Sequence, residues 1–239
     1  MKLKEFFNII SRGFNDLFRN PSLIIPGLLL WIFIYLFSRL SVVVNHILYT
    51  TSSLIAWLVF FSLVSLSAMA FVFSGLIKLS KEIIHKKKVS PRDFFSNGKR
   101  FWFGNFSILL FILVVGIVIW AIANYGGIYI GKLLGLEVNA ALLLYILIYF
   151  AGLIGILIFL TFSNVCLVVE NLNFSGAVKK SIKLVKKEYP ATLALNVLIF
   201  VVLFLLNKIN GIWIDLIEYT LLIPLFVLIL TRFVLHCVK

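Results

Sequence analysis

The sequence predicts an all-α, polytopic membrane helix bundle: about six transmembrane helices, with three amphipathic interfacial helices on the cytoplasmic side. Three observations predict it. First, 62% of the 239 residues are hydrophobic and the mean hydropathy is +1.13, far above a soluble domain, which is about half apolar. Second, apolar runs near the roughly 20 residues that cross a bilayer core recur along the whole chain. Third, nineteen of the 22 Lys and Arg residues fall in alternate connections between those runs. The length suits one membrane domain over 1–239.

Residues 2–20 read as a surface helix, with Leu3, Phe6, Phe7, Ile10, Phe14, Leu17 and Phe18 on one stripe. Asn20-Pro21 should end it, because the residue before proline avoids the α region. The first span is predicted at 22–44, with Pro26 in its first turns and Arg39 snorkelling near its far end. No cleavable signal is evident, and this span is expected to act as an uncleaved anchor. A polar link leads to the second span, 54–77, whose Ser62, Ser65, Ser67, Ala68, Ala70 and Ser74 should let a neighbouring helix approach. Ser90-Pro91 reads as an N-cap with proline at the first helical position. A short surface helix is then expected to end near Gly104-Asn105, before a third span at 106–125. Gly126, Gly127 and Gly131 mark 126–139 as an irregular link. A fourth span follows at 140–169, with Gly152 and Gly155 as a close-packing site, then a fifth at 191–206 and a sixth at 217–235 that contains Pro224.

The three remaining basic residues, Arg39, Lys132 and Lys208, lie one to a link on the opposite side. That bias predicts a cell-membrane protein with both termini in the cytoplasm. The net charge of +13 is therefore assigned to lipid and orientation, with no nucleic-acid partner expected. The best-defined surface segment is 170–190, where Phe174, Val178, Ile182, Val185 and Tyr189 form a stripe about 80° wide. Lys179, Lys180, Lys183, Lys186 and Lys187 oppose it, and with Lys86, Lys87 and Lys88 they are the expected contacts to anionic headgroups.

The order surface helix, polar break, pair of spans is read three times. Ser11, Ser96 and Ser181 stand 85 residues apart, and Gly13, Phe18 and Asn20 have Gly98, Phe103 and Asn105 at the same offset. Units of two spans keep one orientation, so the expected arrangement is a pseudo-threefold bundle and not an inverted-repeat transporter.

Catalytic chemistry finds little footing. Glu137, Glu170, Asp215, Glu218, His46, His85 and His236 all sit at span ends or in links, not at membrane depth. No paired carboxylates, metal spacing, nucleophile elbow or phosphate loop appears, and no catalytic, metal or cofactor site is expected. Cys166 reads as a small buried hydrophobe. Asn164 and Asn196 read as helix–helix hydrogen-bonding residues.

Val168-Val169-Glu170, Ala177, Ser181 and Lys186-Lys187 resemble a motif of a group of poorly characterised prokaryotic six-span proteins. That group includes the membrane domain preceding the catalytic domain in some bacterial glycerophosphodiester phosphodiesterases. The Lys-, Ile- and Phe-rich composition resembles archaeal members. The resemblance implies a fold and a location, and structural roles for Glu170, Ala177 and Ser181. No hydrolase activity is carried over, because the chain shows no soluble phosphodiesterase domain. The expected function is a non-enzymatic membrane scaffold or partner subunit whose basic surface binds lipid, with room for a protein partner or a homo-oligomer. The alternative is a permease or transporter subunit for a small or lipid-like substrate, with Asn164, Asn196, the 126–131 break and Pro224 on its pathway.

Overall fold

A computed structural model describes residues 1, 3–47, 51–87, 89–135, 138–209 and 211–238. Helix α1 spans Leu3–Arg19, and a 3-10 turn at Pro21–Leu23 leads into α2, Ile24–Ile47. Next come α3, Thr51–Ile84; α4, Pro91–Leu133; α5, Val138–Leu160; and the short α6, Ser163–Val169. Helices α7, Phe174–Lys187, and α8, Tyr189–Asn207, follow. A last stretch is built from α9, Ile212–Ile217, a π turn at Glu218–Leu222, and α10, Ile223–Val238. The described residues contain no strand. Six helical stretches are long and apolar enough to cross a membrane: 21–44, 51–84, 91–127, 142–169, 189–206 and 212–238.

Local chemistry sets the boundaries. Asn20 stops α1 before Pro21, and its amide donates to the Asp16 carbonyl at 2.8 Å, satisfying an end-of-helix acceptor. Ser90 and Asp93 cap α4 reciprocally. The Asp93 amide donates to Ser90 Oγ at 3.3 Å, and the Ser90 amide donates to Asp93 Oδ2 at 2.8 Å. Pro224 lacks an N–H, and its ring would collide with the carbonyl four residues back, so the turn before it widens to a π turn. Tyr219 in that turn presents its carbonyl to α2 at Gly27, where any Cβ would overlap it.

Two predicted boundaries are corrected. No separate surface helix ends at Gly104-Asn105; α4 runs unbroken through it and through the glycines at 126 and 127. In hydrocarbon, a freed backbone N–H has no water to turn to, so helix continuity outweighs the weak propensity of glycine. The predicted link at 126–139 is accordingly helical through Leu133, and the chain turns at Leu134 and Gly135. The predicted fourth span stands as one membrane-length stretch, 142–169, with a turn at Thr161-Phe162 inside it that divides α5 from α6.

The close-packing sites also differ in part. Ser62 is exposed, and the tight face of α3 lies further on, at Ala70, Ser74 and Gly75. A Cβ on Gly75 would meet the Phe94 ring. Gly152 lies against Ile119, whereas Gly155 faces open space.

The core sits at one end of the bundle. Helices α3, α6 and α10 pack on one another there, while α1 lies along α10, the start of α4 along α3, and α7 along α5 and α6. Leu76, Phe162, Leu228 and Phe233 are fully buried between them, the two rings stacked 4.8 Å apart. In the last span, 44% of the most apolar stretch is buried, against 6–11% in the other five, so α10 is the central helix. Toward the other end the hairpins expose Val43, Phe60, Val114, Leu147 and Phe204. In water, so much exposed apolar surface would drive association; in lipid it is the solvated state.

Candidate membrane-surface site

The end that holds the core is also where the basic residues gather. Lys81 donates to the Val169 carbonyl at 2.7 Å, and Arg100 to Asn171 Oδ1 at 3.2 Å, tying the α3–α4 and α6–α7 turns together. Arg232 pairs with Asp16, its Nε 2.9 Å from the carboxylate, and fastens α10 to α1. The Met1 amine lies 2.5 Å from Glu188, whose hydrogen bond raises the pKa of the amine above its usual value.

Helix α7 is the centre of the site. Asn173 caps it by accepting the Gly176 amide at 2.8 Å. Asn171, just before, adopts a left-handed φ of 54°, and the Leu172 amide closes α6 on the Leu167 carbonyl at 3.0 Å. The helix presents three faces. Ala177, Ser181, Leu184 and Val185 are buried against the bundle. Val178 and Ile182 are half-buried on a second face. Lys186, Lys179 and Lys183 then follow within an arc of about 60° at 100° per residue, exposed and adjoining that second face.

The stripe expected to face lipid is thus divided. Val185 turns into the core, Tyr189 begins α8, and Val178 and Ile182 line an apolar groove of about 340 Å3 that α7 shares with α4 and α5.

The motif residues fall into place individually. Glu170 forms an ion pair with Lys180 at 3.1 Å. Ser181 does more than provide room. Its hydroxyl donates to the Phe159 carbonyl at 2.8 Å and accepts the Phe162 amide at 3.2 Å, so it serves both sides of the α5–α6 break. Ala177 is fully buried.

Lys86 and Lys87 belong to a different element, the turn that closes α3. There Lys86 takes a left-handed φ of 59° while its amide bonds Ile83 and that of Lys87 bonds Glu82. Lys88 lies outside the described residues, as do Glu137 and Asn210. Asn196 accepts the Thr161 hydroxyl at 3.0 Å, a bond between α8 and the helix break. Asn105 donates to Ser74 Oγ at 2.6 Å, joining α4 to α3. Among the described residues no three His, Cys, Asp or Glu side chains form a metal-binding group.

Ser181's role, the Asn173 cap and the groove escaped sequence reading. The cap had a local signal, asparagine three residues before Gly176. The groove had none, because its walls come from three distant segments.

A helical bundle with six membrane-length apolar stretches and its charges gathered at one end defines a multi-pass membrane protein. Residues 6–237 match the Domain of unknown function (DUF7847), and the chain belongs to that family. No curated protein and no solved structure matches it.

Proposed function

We propose that this is a non-enzymatic scaffold or partner subunit of the cell membrane, with both termini in the cytoplasm and a basic surface there that holds anionic lipid. The observation that carries the reading is the face of α7. Lys179, Lys183 and Lys186 are exposed side by side, with no carboxylate partner among the described residues, above half-buried apolar side chains. Each basic residue near an anionic surface contributes about 1 kcal/mol of attraction. The same reading takes the packing of α1 on α10, of α4 on α3 and of α7 on α5–α6 as a pseudo-threefold ring, each surface segment seated on the last span of the unit before it. The likeness of 168–187 to the membrane domain of glycerophosphodiester phosphodiesterases belongs with this proposal, as a shared layout.

The permease reading needs a polar route to the bilayer centre. A polar cavity of about 270 Å3 does open at the basic end, lined by Glu5, Arg12, His85 and Arg232 among others. Stacked Phe162 and Phe233 fill the core between α6 and α10, which favours the scaffold reading.

The test is reconstitution into mixed bilayers, with tryptophan quenching by brominated anionic or brominated zwitterionic lipid. The chain should favour the anionic lipid, and changing the five lysines from Lys179 to Lys187 to Gln should remove most of that preference. Equal quenching by both lipids in the unaltered chain would refute the lipid assignment.

A further inference from the structure

We propose that the groove between α4, α5 and α7 seats one acyl chain of a single anionic glycerophospholipid, with the phosphate held by Lys186 at its mouth. The proposal rests on the lipid reading above and turns a diffuse surface attraction into a discrete site. Its walls are Val115 of α4, Ile156 and Phe159 of α5, and Val178 and Ile182 of α7; Lys186 is the charged residue in the lining. An apolar slot with one cation at the rim complements an amphiphile with an anionic head, and a volume of about 340 Å3 is within the usual range for ligand sites. Lys183 and Lys179, about one and two turns before Lys186 on the same arc, add positive potential beside the head. The slot is preformed, because Ser181 fastens α7 to the Phe159 carbonyl at the end of α5.

A second groove supports the assignment. It holds about 430 Å3 between α2, α3 and the start of α4. Leu30 and Phe71 line it, and they stand 85 residues before Val115 and Ile156, which line the first. That spacing is the offset of the sequence repeat, so both grooves occupy the same place in successive units. Their mouths differ. The second groove has Trp102, whose indole N–H donates to the Ser67 carbonyl at 3.1 Å, and its lining contains no cation among the described residues. The fold thus supplies a tail slot twice, and Lys186 makes one of them selective for negative charge.

The experiment is native mass spectrometry of the full chain in mild detergent, titrated with phosphatidylglycerol or with phosphatidylcholine of the same chain length. One phosphatidylglycerol should be retained per chain in preference to phosphatidylcholine. Lys186→Gln should cut that preference roughly fivefold, the equivalent of about 1 kcal/mol for one charge, with a smaller loss of phosphatidylcholine binding. Ile156→Trp, which fills the slot without altering charge, should abolish the tightly held lipid; Val115→Phe is the milder filler should the first variant not fold. Phe71→Trp in the other groove should leave the preference intact.

Unchanged retention in the slot-filling variants would overturn the groove even if the five-lysine variant lost its bilayer preference. Equal quenching by both lipids in the unaltered chain, with one phosphatidylglycerol still held tightly, would fault the surface reading alone. A dimer broken by Ile156→Trp in place of a lipid adduct would assign the slot to a second copy of the chain and overturn the proposal.

Discussion

Ser181 shows how one side chain can hold a membrane helix together where the backbone does not. The break at Thr161-Phe162 interrupts the helical ladder inside a chain otherwise committed to continuous hydrogen bonding. The Ser181 hydroxyl, brought in from α7, accepts the Phe162 amide and donates to the Phe159 carbonyl. Ser181→Ala keeps the volume nearly constant but strips both bonds, and should cost about 1–3 kcal/mol, since a buried group loses its partner. A thermal unfolding shift in detergent measures it. An unchanged midpoint would mean that the two bonds add nothing to stability. The two bonds were not legible, because an 85-residue spacing reveals a recurring serine and not what the hydroxyl reaches. The Ser96 hydroxyl, at the same offset, bonds the Asp93 carbonyl within its own helix at 3.3 Å. Equivalent positions therefore carry different chemistry.

Among elements, α4 gives the plainest lesson in what a sequence reveals. Its start was legible, because Ser90, Pro91 and Asp93 are local and each has a capping function. Its continuation was not, because Gly104, Asn105 and Gly127 signal stops in water but serve as packing sites here. Gly104 admits Leu167 of α6, and Asn105 reaches Ser74 of α3.

The adjacent pair at 126 and 127 turns this into a test. A Cβ at Gly127 would lie 2.9 Å from that of Tyr145 and 3.1 Å from its Cα, whereas nothing stands within 4 Å of one at Gly126. Gly127→Ala should destabilise by about 1–3 kcal/mol through overpacking against α5. Gly126→Ala should be neutral or stabilising by up to about 1 kcal/mol, because alanine is the better helix former. Paired melting curves decide it. Equal responses would mean that α4 and α5 do not approach at this point.

Over the whole molecule, the six-span count and the gathering of charge were legible, because hydropathy and Lys/Arg placement act through the solvent and do not need contacts to be known. The placement of the core was not. Nothing in the apolar pattern marks which half of α3 is packed, yet Val72, Leu76 and Leu79 are buried in the core while Leu58, Phe60 and Leu63 are exposed. The arrangement puts the packed core and the basic residues at one end of the bundle.

The central proposal is therefore topological: the turns at 85–87 and 170–173 and helix α7 are assigned to the cytoplasmic face, and the turns at 134–135 and near 209 to the outside. The most direct measurement uses single-cysteine variants in a background with Cys166 and Cys237 replaced, labelled in sealed right-side-out vesicles by a membrane-impermeant thiol reagent. Leu134→Cys and Ile209→Cys should label at once, and Lys87→Cys, Lys99→Cys and Lys183→Cys only after permeabilisation. Prompt labelling of Lys183→Cys in intact vesicles, with Leu134→Cys protected, would invert the molecule and contradict the account.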